Sequence, residues 1–305
     1  MQECSGKKKK KTVDKISFIL LMLVFTTGLA VMMYPIVSDY INSKHQSRSI
    51  ETYDETINKM NDDEYIDIFN KANKYNEKLF QTGGLFGISG DNEEYNSIMN
   101  INNTGVIGYL TIPVIKTELP LYHGTDDSVL NVAAGHLQGS SFPVGGENTH
   151  AVISAHRGLP TSRLFTDLDK IEIGDVFTIT VLNKVLTYEV DNIKIVEPHM
   201  TDDLRIKKGS DYVTLVTCTP YGINTHRLLV RGQRVTTSEG KPVSNLRISS
   251  EAVLIDPNEV AVIMSVPIII VLFIVSLTTG YLKDRRKKNN SVKKKMGAGK
   301  MDEKK

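Results

Sequence analysis

Apolar residues crowd the two ends of this chain and alternate with polar ones through its middle. Residues 16–37 and 260–282 are nearly uninterrupted apolar runs. Each has about the 20 residues a helix needs to cross a bilayer. Pro35 and Pro267 are compatible with that, because membrane helices tolerate proline better than soluble ones. Between residues 49 and 80, Ile57, Met60, Tyr65, Ile68, Phe69, Ala72, Tyr75 and Leu79 recur mostly at three- and four-residue steps. That spacing predicts one amphipathic helix, or two, with the stripe packed on a domain. Residues 81–91 break the pattern, with Gly83, Gly84, Gly87 and Gly90 around Leu85 and Phe86. They read as a loop carrying two large apolar side chains.

From Gly105 onward the period falls to two. Strands are expected at 105–112, 118–122, 150–155, 176–182, 185–196, 212–217 and 228–235, with a tight turn at Asn183-Lys184. Short helical turns fit 127–133 and 163–170. Many short strands with irregular connections predict a mainly β fold, a barrel or sandwich with peripheral helices. The Ser/Thr/Pro/Lys-bearing stretch after Val235 is a linker by composition, and no internal repeat is present.

Charge changes the picture from a soluble domain to an anchored one. Lys7 to Lys11 and Lys15 precede the first apolar run, and eleven further basic residues follow the second. Residues 38–260 keep 20 of the 37 basic and 30 of the 35 acidic residues, a net charge of about −10 that the overall +2 conceals. Both basic tails are therefore expected in the cytoplasm and the acidic central domain outside. A basic start, an apolar core and Gly28-Leu29-Ala30 also resemble a cleavable signal peptide. The apolar stretch runs on to Val37, longer than a typical signal core, which favours an uncleaved anchor. The expected layout is a basic tail (1–15), a membrane helix (16–37), a helical region with a candidate lid loop (38–100), a β-domain (101–238), a linker (239–259), a second membrane helix (260–282) and a basic tail (283–305). An acidic outer domain argues against nucleic acid as a partner.

There are two cysteines, Cys4 and Cys218. Cys4 precedes the lysine run on the cytoplasmic side, so the two are not expected to pair, and Cys218 is left as a candidate reactive thiol. Neither a metal-ligand spacing of cysteines nor a glycine-rich phosphate loop is present, so no metal or cofactor is called for. Tyr212 to Thr217 alternates β-branched and apolar residues and delivers Cys218 at the strand's end. Pro220, Gly222 and Asn224 suit a turn, and the next strand begins just past Arg227. In an antiparallel hairpin this sets a thiol beside a permanent cation, an arrangement that lowers a thiol's pKa. A buried, inert cysteine is the ordinary alternative. The candidate base or acid comes from His45, His123, His136, His150, His156, His199 and His226. His156 closes one strand and Arg157-Gly158-Leu159-Pro160 turns the chain away, so it is the best placed; His150 opens the same strand. Of His226 and Arg227, neighbours on a strand, at most one faces the site.

Thr214-Leu215-Val216-Thr217-Cys218, with Arg227 in the following strand and Ser154-Ala155-His156-Arg157-Gly158 upstream, resembles a sortase, a family of membrane-anchored transpeptidases of Gram-positive bacteria. The longer stretches, 148–168 and 218–232, and the second apolar run after the domain, are similar to class C, the pilin-polymerising type. The resemblance implies a closed sortase-like β-barrel with short peripheral helices, an N-terminal amphipathic helix and a membrane helix at each end. It implies Cys218 as nucleophile, His156 as general acid and Arg227 as electrostatic stabiliser, with no cofactor. The implied partners are pilin subunits bearing a C-terminal LPxTG-like sorting signal and an acceptor lysine. Class C members often carry an Asp-Pro-aromatic lid; residues 80–100 lack that tripeptide, and Leu85 and Phe86 stand as the candidate lid. Two other readings share the sequence: a sortase that anchors proteins to cell-wall peptide, with the same triad and another amine acceptor, and a catalytically silent, tethered β-domain that would need no ordered His, Cys and Arg.

Overall fold

The computed structural model describes residues 3–83, 92–235 and 270. The linker, the second apolar run, the C-terminal tail and the candidate lid residues Leu85 and Phe86 lie outside the described residues, Ile270 aside. Contacts divide the chain into two units, residues 1–29 with 250–305 and residues 30–249. The second unit carries every strand among the described residues.

Helix α1 (Glu3–Ile57) is continuous through Pro35. It contains a segment long and apolar enough to cross a membrane, beginning within the described side chains at Met22. The amphipathic stripe resolves into the end of α1 and a separate helix, α2 (Asp62–Thr82). The break lies at residues 58–61, where Asn61 caps α2. Its side chain accepts from the Glu64 backbone N–H, and the Glu64 side chain reaches back to the Asn61 N–H. Two orphan amide donors are thereby satisfied, and Gly83, at φ +93°, ends the helix. Ala72, Tyr75 and Leu79 are buried, and Ile57, Met60, Tyr65, Ile68 and Phe69 pack against the same core. A third, short helix, α3 (Asn92–Ser97), leads into the barrel.

Eight strands close the barrel: β1 (Val106–Ile112), β2 (Thr117–His123), β3 (Ala134–His136), β4 (Thr149–Ser154), β5 (Val176–Val181), β6 (Lys184–Val196), β7 (Asp211–Thr219) and β8 (His226–Arg234), in the order β1-β2-β3-β4-β7-β8-β6-β5. The β2/β3 and β4/β7 pairs are parallel and the rest antiparallel. Closure leaves no free sheet edge, and the interior is filled by Leu110, Ile153, Phe177, Ile179, Leu215 and Val230 among others, all fully buried.

Three local expectations need correction. Strand β3 escapes the sequence pattern because three residues, Ala-Gly-His, are too short to show alternation. Gly135 makes the strand fit: a Cβ there would lie 2.2 Å from the Gly124 carbonyl oxygen. The β5–β6 turn is Leu182-Asn183 rather than Asn183-Lys184, since Val181 pairs with Lys184. Leu182 takes φ +55°, is buried, and donates its N–H to the Tyr53 hydroxyl of α1 at 2.7 Å. Within 163–170 only Leu168–Lys170 is helical, a single 3-10 turn, and within 127–133 the helix α4 is Asp127–Leu130.

Candidate active site

The β7–β8 hairpin pairs Cys218 directly with Arg227. Directly opposed residues on antiparallel strands project to the same face. Along β7 the inward positions Leu215, Thr217 and Thr219 are buried, while Val216 and Cys218 are half-exposed. The thiol therefore lies on the outer face of the barrel, as a free cysteine. His226 is opposed to Thr219 instead, and its Nδ1 lies 2.9 Å from the Thr225 hydroxyl. The connecting turn is closed by the Ile223 and Asn224 amides, both donating to the Pro220 carbonyl. Gly222 at φ +74° and Asn224 at φ +62° occupy left-handed backbone, the conformation those residue types tolerate. Arg227 Nη1 donates to the carbonyls of Asn224 (3.2 Å) and His226 (3.1 Å). This steadies the guanidinium over the hairpin and, among the described residues, leaves Nε and Nη2 for a ligand.

His156 arrives from the neighbouring strand. β4 runs parallel to β7 in register up to Ser154 opposite Val216. The Ala155 N–H then donates to the Val216 carbonyl, and the Thr217 hydroxyl donates to the Ala155 carbonyl at 2.8 Å. His156 is thus two residues beyond the Ser154/Val216 pair, as Cys218 is on β7. It leaves β4 at the same end of the sheet as the thiol and the guanidinium. Its carbonyl accepts the Phe165 N–H at 3.0 Å, so the loop 157–164 departs from His156 and returns to it.

The loop is braced against the hairpin. The mostly buried Arg157 guanidinium pairs with Asp169 and lies 6.0 Å from the centre of the Tyr221 ring. Gly158 has φ +77°, and a Cβ there would come within 2.8 Å of the same ring. The left-handed backbone at this position is the conformation that glycine adopts without strain.

An apolar strip runs away from the thiol on the same sheet face. Val152, Leu204 and Leu229 are buried together, with Leu137, Val196 and Val216 packed on them. Sequence reasoning did not single these residues out. Their signal was present in Val216, which shares the parity of Cys218 on β7 yet is apolar.

The other histidines are accounted for elsewhere. His150, at the far end of β4, is about 20 Å along the strand from His156 at 3.3 Å per residue. It is buried, with Nδ1 3.0 Å from the Arg205 carbonyl and Nε2 2.7 Å from the Thr214 hydroxyl. Burial pulls its pKa down to about 4. His136 is fully buried, 2.9 Å from the Tyr95 hydroxyl and 2.8 Å from the Ser141 carbonyl, and burial lowers it to about 4 as well. His123 sits between the Gly105 and Ile98 carbonyls, and burial lowers its pKa too. His199 is exposed beside Glu197, and His45 is exposed on α1. Among the described residues, no group of three His, Cys, Asp or Glu side chains is arranged to hold a metal ion.

A closed eight-stranded barrel with a cysteine, an arginine and a histidine gathered at the ends of three adjacent strands defines a class of cysteine transpeptidases. The chain belongs to the sortase family: solved sortases 45–50% identical to it are matched over nearly their whole length, and the sortase domain model matches residues 110–235. Sortase C1 from Streptococcus agalactiae is 50% identical over 62% of this chain and 99% of its own, with a TM-score of 0.61. Sortase C of Streptococcus pneumoniae, whose structure was described for its catalysis and pilin substrate specificity, is 45% identical over 62% of this chain and 97% of its own, with a TM-score of 0.57. Its structural neighbours are thus sortases of class C. Sortase D of Bacillus subtilis (strain 168) is 33% identical over 132 residues, 42% of this chain, and the match spans 64% of that relative's length.

Proposed function

We propose that this protein is a membrane-anchored class C sortase that joins pilin subunits covalently. The observation that carries the reading is the cross-strand pairing of Cys218 with Arg227 beside strand β4, which ends at Ser154, two residues before His156. Family membership and the class C neighbours support it.

In the mechanism, the Cys218 thiolate attacks the carbonyl carbon between Thr and Gly of an LPxTG-like sorting signal. The C–S bond forms and the carbonyl electron pair moves to oxygen, giving a tetrahedral oxyanion. Arg227, held through Nη1 by its own turn, directs its remaining N–H groups to that oxygen or to the adjoining backbone. Preorganised donors of this kind stabilise the transition state more than the ground state. As the C–N bond breaks, the His156 imidazolium gives its proton to the departing glycine amine. A lysine amine of another pilin then attacks the thioester, its proton passes to the now neutral His156, and the C–S bond breaks to release the Cys218 thiolate, which restores the starting state. Repetition builds a fibre. The proposed topology sets residues 38–259 outside, between two membrane helices, with both termini in the cytoplasm and with Leu85 and Phe86 as a lid over the site.

Incubation with an LPxTG-type peptide and mass analysis of the intact protein tests the assignment. We expect a thioester adduct on the wild type and none on Cys218→Ala, which should fold normally. An adduct persisting in the variant would refute Cys218 as the nucleophile. Covalent ladders formed from purified pilin, and abolished when its acceptor lysine is replaced, would distinguish polymerisation from transfer to a cell-wall amine.

A further inference from the structure

The helix that leaves the apolar N-terminal segment also reaches the loop attached to His156. Asp39, Asn42 and Gln46 are spaced i, i+3, i+7 and so share one face of α1. The Asp39 carboxylate accepts the Arg163 backbone N–H at 2.9 Å. The Asn42 amide donates to the Thr161 carbonyl at 2.7 Å. The Gln46 amide donates to the Val132 carbonyl at 2.7 Å and to the Ser162 hydroxyl at 3.2 Å. Three consecutive loop residues, 161 to 163, are thus bound by one helix face.

These bonds are not what docks the helix. One turn further on, Ile50 and Tyr53 are buried, and the Tyr53 hydroxyl bridges the Ile107 carbonyl and the Leu182 amide. Burial and that bridge hold α1 on the barrel, whereas the polar contacts at residues 39–46 act mainly on loop backbone. The loop itself is short and internally tied. Leu159 bridges Ser162, Gly158 donates to the Thr166 hydroxyl, and Phe165 donates back to His156. A shift at its tip therefore has few rotatable bonds over which to dissipate before it reaches His156.

We propose that Asp39, Asn42 and Gln46 are positioning residues for His156, acting through the loop 157–166, so that the membrane-proximal helix is part of the active-site scaffold as well as a tether. The inference rests on the reading of His156 as the general acid. Displacement of a reacting group by about 1 Å can cost on the order of 100-fold in rate; loosening one edge of its loop should cost less, roughly tenfold.

The test uses the full chain in detergent. Asn42→Ala combined with Gln46→Ala is compared with Ile50→Val, which trims a buried apolar side chain of the same helix and removes none of the hydrogen bonds to residues 161–163. Pre-steady-state acylation by an LPxTG-type peptide is followed from pH 5 to 9, beside alkylation of Cys218 by iodoacetamide. The double variant is expected to acylate roughly tenfold more slowly at saturating peptide, with a displaced pH profile, an unchanged KM and ordinary alkylation. Ile50→Val is expected to acylate at the wild-type rate. Equal slowing in both variants, or slowing in neither, overturns the proposal. Failure of the wild type to form an acyl-enzyme would instead overturn the reading of the site on which it rests.

Discussion

Arg227 shows how much a single side chain must do in this site. Its guanidinium is bonded to two carbonyls of its own turn, so it is aimed before substrate arrives, at little entropic cost on binding. Arg227→Ala should still allow Cys218 to be alkylated but should reduce peptide cleavage by about 100- to 1000-fold, the usual cost of losing an oxyanion donor. Turnover near the wild-type rate would show that the cation has no transition-state role. Gly158 carries a different burden. With φ +77° and the Tyr221 ring 2.8 Å from where a Cβ would stand, Gly158→Ala should cost about 1–2 kcal/mol from the left-handed backbone alone. Urea denaturation would measure that. Tyr221 is largely exposed, so its ring can move aside and steric overlap adds little.

The buried histidines contribute to acid stability. His136 and His150 have folded pKa values near 4 against 6.5 unfolded, so between those values the unfolded chain binds more protons. Stability is fully present above about pH 6.5 and falls as pH drops towards 4, by on the order of 3 kcal/mol for each. His123, also depressed by burial, adds a slope of the same sign. His136→Gln should lower stability at pH 7 but flatten the acid limb, read from chemical denaturation at a series of pH values. An unchanged slope would show that His136 is not among the groups titrating there.

At the scale of elements, the ends of helices and strands are where local chemistry and tertiary contact meet. The Asn61–Glu64 capping box separates α2 from α1, and Asn61→Ala should destabilise the protein by about 1 kcal/mol. A thermal melt is a sufficient check, and no effect would mean that packing alone sets the helix start. Strands β4, β7 and β8 act as one unit. The parallel β4/β7 pair brings His156 alongside the β7–β8 hairpin, and the alternation of β7 puts Cys218 outward with Val216. Register matters here, since a one-residue slip of β4 would move His156 to the other face. The β4/β7 pairing is also long-range in sequence, and no local pattern in either segment names the other as its neighbour.

For the whole molecule, the division of charge and hydropathy is the organising feature. The acidic stretch 38–260 lies between two apolar runs flanked by basic tails, and the first run belongs to a helix long and apolar enough to span a bilayer. With two-pass topology, cysteine reporters placed at either terminus should be labelled only after the cytoplasmic leaflet is breached. Labelling of the C-terminal reporter from outside would exclude the second span.

Much of this was legible in the residues themselves. Hydrophobic runs and lysine counts are one-dimensional quantities. The alternation of Tyr212 to Thr217, and a turn built from proline, glycine and asparagine, specify a hairpin because its two strands are adjacent in the chain. The pairing of Cys218 with Arg227 followed from that. What the chain could not disclose by itself depends on contacts between distant segments. The strand β3 exists because Gly135 admits the Gly124 carbonyl, and the β5–β6 turn shifts by one residue because Tyr53 captures the Leu182 amide. The separation of His156 from His150 follows from which end of β4 meets the end of β7, and the grip of α1 on residues 161–163 joins segments more than a hundred residues apart. Local periodicity encodes which face of an element is apolar. Only closure of the barrel, by satisfying backbone hydrogen bonds between remote strands, decides which faces come together.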